Sequence, residues 1–348
     1  MNIANKIKQL RSKAGLTQEQ LASTLGISAQ SVSKWENSVT MPDITLLPQL
    51  AIQLGVSIDE LFDLTTDQRL RRIEKRLDLE EDLPSDVFKE YEVFLTEQLR
   101  EGENKGKVLS LLAELYHHRM TADSIRVSKY AREAIMLSPE VKECQWLLQK
   151  AEGAVCWDWN LANHTSVINF YKQVIKRAGG RSRMPYYEVI DNLLADHRVS
   201  EAREYFEIYK TLPGIKPFLT PVYEAYFALG EYDVKRADEI MESALGEFGN
   251  DSGFLFEKAQ YHARRCEYEK AIEFYEKSFD DQINKKPRYT DALQGIATVY
   301  EILCDRENAL KTLDRMIECI KNEWGYSDED AAVTEVKREK ERLLSSDI

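Results

Sequence analysis

At 348 residues, with 60 acidic against 47 basic side chains and a net charge of −13, the chain has room for two or three domains. It is too acidic overall to cling to nucleic acid by bulk charge. Hydrophobic residues (43%) and charged residues (31%) stand in the ratio of a soluble globular protein, and 15 Gly and 9 Pro among many Leu, Ala, Glu and Lys point to helix. The opening MNIANKIKQLRSKAG has no apolar core of signal-peptide length. No run approaches the roughly 18–20 apolar residues of a membrane span, so a cytoplasmic location away from membranes is expected. Cys144, Cys156, Cys266, Cys304 and Cys319 are odd in number and scattered, which predicts reduced thiols with neither disulfides nor zinc.

In chain order, the spacing of Ile3, Ile7 and Leu10 predicts a first helix to about Ala14, with Lys6, Lys8, Arg11 and Lys13 on or beside its outer face and Gly15 as its stop. Thr17-x-x-Gln20 is a capping-box pattern that opens a second helix, whose apolar face is Leu21, Ala22 and Leu25. Gly26 permits a sharp turn and Ile27 is expected as a buried plug. Ser28 caps a third helix, with Val32 and Trp35 inward and Ala29, Gln30, Ser31, Ser33 and Lys34 outward. That outward face is short or polar, as base edges require. Asp43 is expected to cap a fourth helix with an apolar stripe of Ile44, Leu47, Leu50, Ala51 and Leu54, ended by Gly55. Ser57-x-x-Glu60 opens a short fifth helix, with Leu61 and Phe62 packing back. Residues 1–63 carry only −1 of the net charge, which leaves −12 to the remainder. A nearly neutral reader binds DNA weakly as a single copy, and dimerisation is the expected remedy.

The run LTQEQLASTLGISAQSVSKWEN, followed by a proline and LAIQLGVSIDELF, resembles the Xre-type, phage-repressor-like helix-turn-helix domain. The resemblance covers residues 2–63 and implies a five-helix domain whose third helix enters the major groove of double-stranded DNA. Carried over by position, it implies Ala29, Gln30 and Lys34 as base readers, with Ser28, Ser31 and Ser33 as lesser base or phosphate contacts. It also implies that Gln18 meets a phosphate at the N-terminus of the second helix. Gln30 suits adenine N6/N7 and Lys34 suits guanine O6/N7, whereas Ala29 offers only a methyl contact to thymine.

Residues 64–83 form a charged linker helix in which Leu70, Ile73 and Leu77 mark a seam. That seam could pack on either domain, join two copies, or present Arg69, Arg71, Arg72, Lys75 and Arg76 to phosphate.

Residues 84–348 read as consecutive helices with a recurring period. Ala202, Ala237 and Ala271 are 35 and 34 residues apart, and both Ala259 to Ala297 and Ala271 to Ala309 span 38. Large residues follow at Phe206, Met241, Tyr275 and Leu313, and Ala131 and Ala134 mark a weaker unit. The pattern resembles tetratricopeptide repeats. The expected fold is therefore all-α, a five-helix lambda-repressor-like domain followed by an α-solenoid of helical hairpins, with the polar stretch Asp328–Leu344 as terminal cap. A solenoid of this kind binds a peptide or protein on its concave side, for which Asn192, Tyr223, Tyr226, Tyr261 and His262 are the candidate liners.

No phosphate-binding loop, dinucleotide fingerprint or H-E-x-x-H is present. His117 and His118 diverge by about 100° on a helix. His164, His197 and His262 show no carboxylate or cysteine at ligand spacing, and Trp157-Asp158-Trp159 reads as packing rather than a stacking site. The expectation is a regulator without catalysis or cofactor, dimeric on an inverted repeat, whose repeats dimerise, sense a ligand or both. The two-part layout resembles that of the peptide-responsive regulators of Gram-positive bacteria. The alternative is an interaction scaffold that the helix-turn-helix merely tethers to DNA.

Overall fold

The computed structural model describes residues 3–62, 65–101, 104–153, 163–280 and 284–345, and these are helical without a strand. The chain divides into two compact units, Met1–Thr121 and Ala122–Ile348.

The first unit begins with α1 (Ile3–Lys13), α2 (Gln18–Leu25) and α3 (Ala29–Glu36). Thr17 and Gln20 complete the capping box reciprocally, Thr17 Oγ1 accepting from the Gln20 amide at 3.1 Å and Gln20 Oε1 from the Thr17 amide at 2.8 Å. Gly26 ends α2 at φ +67°, a conformation in which a Cβ would be strained. Ile3, Ile7, Leu21, Leu25, Val32 and Trp35 join Leu50, Leu54 and Leu61 in one core. Ile27 is half-buried at its edge rather than a sealed plug.

Asp43 caps as expected, but what it caps is a single 3-10 turn, Ile44–Leu46. The helix proper, α4 (Leu47–Leu54), starts beyond it with Pro48 in the first turn, where a missing N–H costs nothing. Ile44 therefore leaves the stripe and is 78% exposed. After α5 (Ile58–Leu61), Leu61 is fully buried while Phe62 is 41% exposed instead of packing back. The side chain of Glu60, partner in the expected second capping box, lies outside the described residues.

Next come α6 (Thr66–Leu79), α7 (Ser85–Glu101) and α8 (Lys105–Leu137). Leu70 and Ile73 of α6 are buried with Phe88, Tyr91, Leu95, Leu111 and Leu115, and Leu77 packs at the edge. The seam is thus consumed within its own chain, and the boundary expected at residue 84 runs through a packed cluster. Arg69 stacks 3.8 Å from the ring centre of Phe94, and Arg76 donates to Tyr91 Oη at 2.9 Å. These basic residues of α6 are held by aromatic neighbours.

The second unit contains the end of α8 and then α9 (Lys142–Ala151) and α10 (Thr165–Arg177). Four hairpins follow, α11 (Arg183–Ala195) with α12 (Val199–Tyr209), α13 (Leu219–Gly230) with α14 (Val234–Phe248), α15 (Ser252–Arg264) with α16 (Tyr268–Phe279), and α17 (Asp291–Ile302) with α18 (Arg306–Trp324). The marker alanines Ala202, Ala237, Ala271 and Ala309 are all fully buried, as close helix crossing demands. Phe206, Met241, Tyr275 and Leu313 fill the adjoining gaps. Ala131 is buried on α8 and Ala134 half-buried. Val333, Val336 and Leu343 of α19 (Ala331–Ser345) close the last core, so the polar terminal helix caps the stack.

Each hairpin turns on one left-handed residue that is not glycine: His197 (φ 56°), Tyr232 (64°), Cys266 (57°) and Cys304 (56°). In each, the next residue's amide reaches back five positions, as from Arg198 to the Leu193 carbonyl at 2.8 Å and from Asp305 to that of Tyr300 at 2.8 Å. Trp157-Asp158-Trp159 and Cys156 lie outside the described residues.

Gly295 shows how tightly neighbouring repeats approach. A Cβ built there would lie 2.5 Å from the ring of Tyr275, which is itself buried. Gly295→Ala is therefore expected to destabilise the second unit by about 1–3 kcal/mol, the usual cost of overpacking. A urea melt that leaves the midpoint unchanged would refute this contact.

Candidate nucleic-acid interface and a cavity in the repeats

The reader is built around a buried ion pair. Glu36, at the end of α3, is 5% exposed. It accepts from Arg11 Nε at 2.5 Å, from Arg11 Nη2 at 3.0 Å and from Gln18 Nε2 at 2.7 Å. Arg11 also donates to the Leu16 carbonyl at 2.6 Å. One carboxylate thus ties α1, α2 and α3 together. Burial pushes the Glu36 carboxyl up, but the bonds from Arg11 and Gln18 outweigh it and hold the group below its ordinary 4.5. The hydrogen bond to Glu36 raises Arg11 correspondingly.

On the outer side of α3, Gln30 and Lys34 are exposed and lie one helical turn apart. Ser28 is exposed and caps the helix, its Oγ accepting from the Ser31 amide at 3.2 Å and lying 3.0 Å from Ser31 Oγ. Ser31 and Ser33 are half-buried, and Ser33 takes part in a bond from Asn37 Nδ2. Ala29 is not outward-facing. It is half-buried, packed against the edge of the core. Gln18 is half-buried, with its amide held by Glu36; the amide's second proton is not used in that bond. Arg11 and Glu36 were missed in the sequence, although a basic residue on the first helix and an acid after Trp35 were both in view.

The five groove candidates separate. Tyr261 is fully buried, donating to Asp238 Oδ1 at 2.8 Å and accepting from Arg265 Nη1 at 2.8 Å. His262 is buried and stacked on Phe274, with Nδ1 2.6 Å from Glu267. Asn192 donates to the Glu188 carbonyl of its own helix at 2.8 Å. Tyr261 and His262 belong to packing, turned by the inner helices toward their neighbours, while Asn192 is half-buried and bonded within its own helix. His164, read as lacking a carboxylate, has Nδ1 2.6 Å from Asp196.

Tyr223 and Tyr226 do line a cavity, of about 460 Å³, shared with Tyr187 and Asp191 of α11 and Glu257 and Arg264 of α15. Tyr223 donates to Asp191 Oδ1 at 2.9 Å. Burial raises the Asp191 carboxyl, opposed by that bond. Burial and then the charge of Asp191 raise Glu257. Tyr187 is pushed up to about 12 by burial and by Asp191. The hydroxyl of Tyr226 is buried and completes no hydrogen bond of normal geometry, although it lies close enough to Glu257 to lower that group's value. Arg264 sits 4.6 Å from the ring centre of Tyr226. Glu257 and Arg264, seven residues apart on one helix face, were the sequence signal for this cluster.

The Helix-turn-helix family matches residues 7–61. The transcriptional activator BcrR of Enterococcus faecalis is 40% identical over 62 residues, 18% of this chain and 30% of BcrR. The chain therefore spans under a third of that relative. MJ0272 of Methanocaldococcus jannaschii, an HTH-type transcriptional regulator, is 36% identical over 64 residues, 18% of this chain and 97% of MJ0272. Among solved structures, Bacillus thuringiensis PlcR in complex with the peptide PapR7 and DNA aligns over 99% of both chains at 14% identity and a TM-score of 0.27. The PrgX/iCF10 complex aligns over 86% of this chain and 96% of PrgX at 13% identity and a TM-score of 0.26. Among the described residues, no helix is long and apolar enough to cross a membrane.

Proposed function

The chain belongs to the helix-turn-helix transcriptional regulators, and from that premise we propose that it binds an inverted repeat in double-stranded DNA as a homodimer, with its repeats sensing a peptide or protein ligand. The observation that carries the DNA reading is the exposed pair Gln30 and Lys34 on a helix whose far side is locked by Glu36. In this reading Gln30 and Lys34 contact base edges. Gln18, Ser28, Ser31 and Ser33 set the register on phosphates, and Ala29 drops out as a reader. The Glu36 bond pre-orients the Gln18 amide, which lowers the entropy lost on meeting a phosphate.

Sensing rests on the cavity lined by Tyr223 and Tyr226, whose polar groups are built into the inner helices of successive hairpins. A ligand there would alter the spacing of the two readers. Half-sites about 34 Å apart tolerate little misplacement, so a small change in geometry becomes a change in affinity. The chain acts in the cytoplasm by binding, without a catalytic step.

Selecting bound fragments from random DNA with the full-length chain tests this. The expected product is a two-fold symmetric sequence with half-sites about one helical turn apart, and light scattering at micromolar concentration is expected to give the dimer mass. A monomer protecting one half-site overturns the dimer. Uniform binding that vanishes near physiological salt overturns the regulator and favours a tethered scaffold.

A further inference from the structure

The cavity of about 460 Å³ carries more chemistry than repeat packing requires. Two half-buried carboxylates, Asp191 and Glu257, face it from α11 and α15. Among the described residues neither is in a salt bridge, and Asp191 is bonded by the neutral hydroxyl of Tyr223. The charged groups acting on them are Glu188, Lys216 and Arg264. Arg264 is itself exposed and engaged with the face of Tyr226. Burying carboxylates without a directly paired cation is costly, and packing alone is better served by apolar residues.

A second observation points into the same space. Tyr226 is 9% exposed, and its buried hydroxyl completes no hydrogen bond of normal geometry, although it lies near Glu257. Unsatisfied buried polar atoms are rare enough in folded proteins to call for a missing partner. The rings of Tyr187, Tyr223 and Tyr226 border the same space, and aromatic rings attract cations. An anionic ligand would meet both carboxylates at close range and be repelled.

We propose that this cavity selects its ligand through a cationic group, an amine or guanidinium, seated against Asp191 and Glu257 with the Tyr226 hydroxyl as an oxygen acceptor. The inference rests on the reading that the repeats bind a peptide, and it names the chemistry that such a peptide presents there. The cation supplies a directly paired counter-charge, which Arg264 does not give from its place against Tyr226, and the tyrosines seat the apolar part of the side chain or terminus that bears it.

The test is affinity selection of random heptapeptides by the full-length protein. Retained peptides are expected to share a lysine or arginine, or to depend on a free amino terminus. Acetylating side-chain amines in one arm and the terminus alone in another identifies which source is used, and the effective block should weaken binding at least tenfold. Asp191→Asn with Glu257→Gln should cause a loss of similar size while DNA affinity is retained. Tyr226→Phe should weaken binding several-fold yet melt no lower than the parent, which keeps the test decisive if the double variant fails to fold. Retained peptides that lack a cation, or arginine-free peptides that bind equally with both amine sources blocked, overturn this inference and leave peptide binding standing. Retention of no peptide overturns both.

Discussion

Glu36→Gln is expected to cost the reader about 3 kcal/mol, the low end of what breaking a buried ion pair costs, because Arg11 keeps 13% of its side chain exposed. The substitution leaves the shape nearly intact. It removes the charge that balances Arg11, and it replaces one acceptor oxygen with an NH2 group that faces two other donors, from Arg11 and Gln18. A domain stable by roughly 5–15 kcal/mol loses a large share of that margin. Hydrogen exchange over α1–α3 should rise sharply, while protection in the second unit stays unchanged. The acid limb gives an independent check. Glu36 has a folded pKa below its ordinary 4.5, so the unfolded state binds the proton more readily. The pair's contribution is complete above 4.5 and is lost as pH falls through the folded value. The parent should therefore lose reader stability in that window, and the Gln variant should show a flatter profile there. An equal slope in both proteins would show that Glu36 is not the group that titrates.

Much of the architecture was legible because the residues that determine it are local or periodic. The Thr17 capping box, the Gly26 turn and the Ser28 cap are short-range rules, and each stands where the spacing put it. The repeat period was legible for the same reason, since a small residue at each helix crossing leaves a regular mark. The errors lie where a tertiary contact decides. Ile44 and Phe62 satisfy a helical stripe on paper, yet the 3-10 turn after Asp43 and the short α5 rotate them out of the core. The α6 seam is apolar on either reading, and only the fold shows that Phe88, Tyr91 and Leu111 already fill it. The hairpin turns were hidden because His197, Tyr232, Cys266 and Cys304 occupy a conformation usually marked by glycine.

The sites divide along the same line. The proposed base-reading positions follow from helical phase, and Gln30 and Lys34 need only that phase to face outward. The repeat cavity does not follow from phase. Tyr226 and Tyr261 stand 35 residues apart in equivalent repeats, but one borders the cavity and the other is sealed against Asp238 and Arg265. What distinguishes them is which neighbour lies opposite, and that depends on how successive hairpins stack.

Gln30→Ala with Lys34→Ala is the change expected to separate specific recognition from adhesion. Each bidentate base contact discriminates by about 1–3 kcal/mol, so a half-site should lose at least about 2 kcal/mol, roughly 30-fold in affinity, and a symmetric dimer loses this at both half-sites. The protein's own stability should be spared. Both side chains are exposed, neither has a hydrogen bond or ion pair among the described residues, and alanine is the best helix former. The two single variants should differ in kind. Gln30→Ala should relax base preference at one position without altering the salt dependence of binding. Lys34→Ala should also lower the salt dependence if its ammonium lies close enough to a phosphate to displace counterions. Quantitative binding of selected and scrambled DNA across a salt series reads both effects. If the double variant still prefers the selected sequence by the parent's margin, α3 is not the reading element, and the proposed mode of DNA recognition is wrong whatever the fold of the domain that carries it.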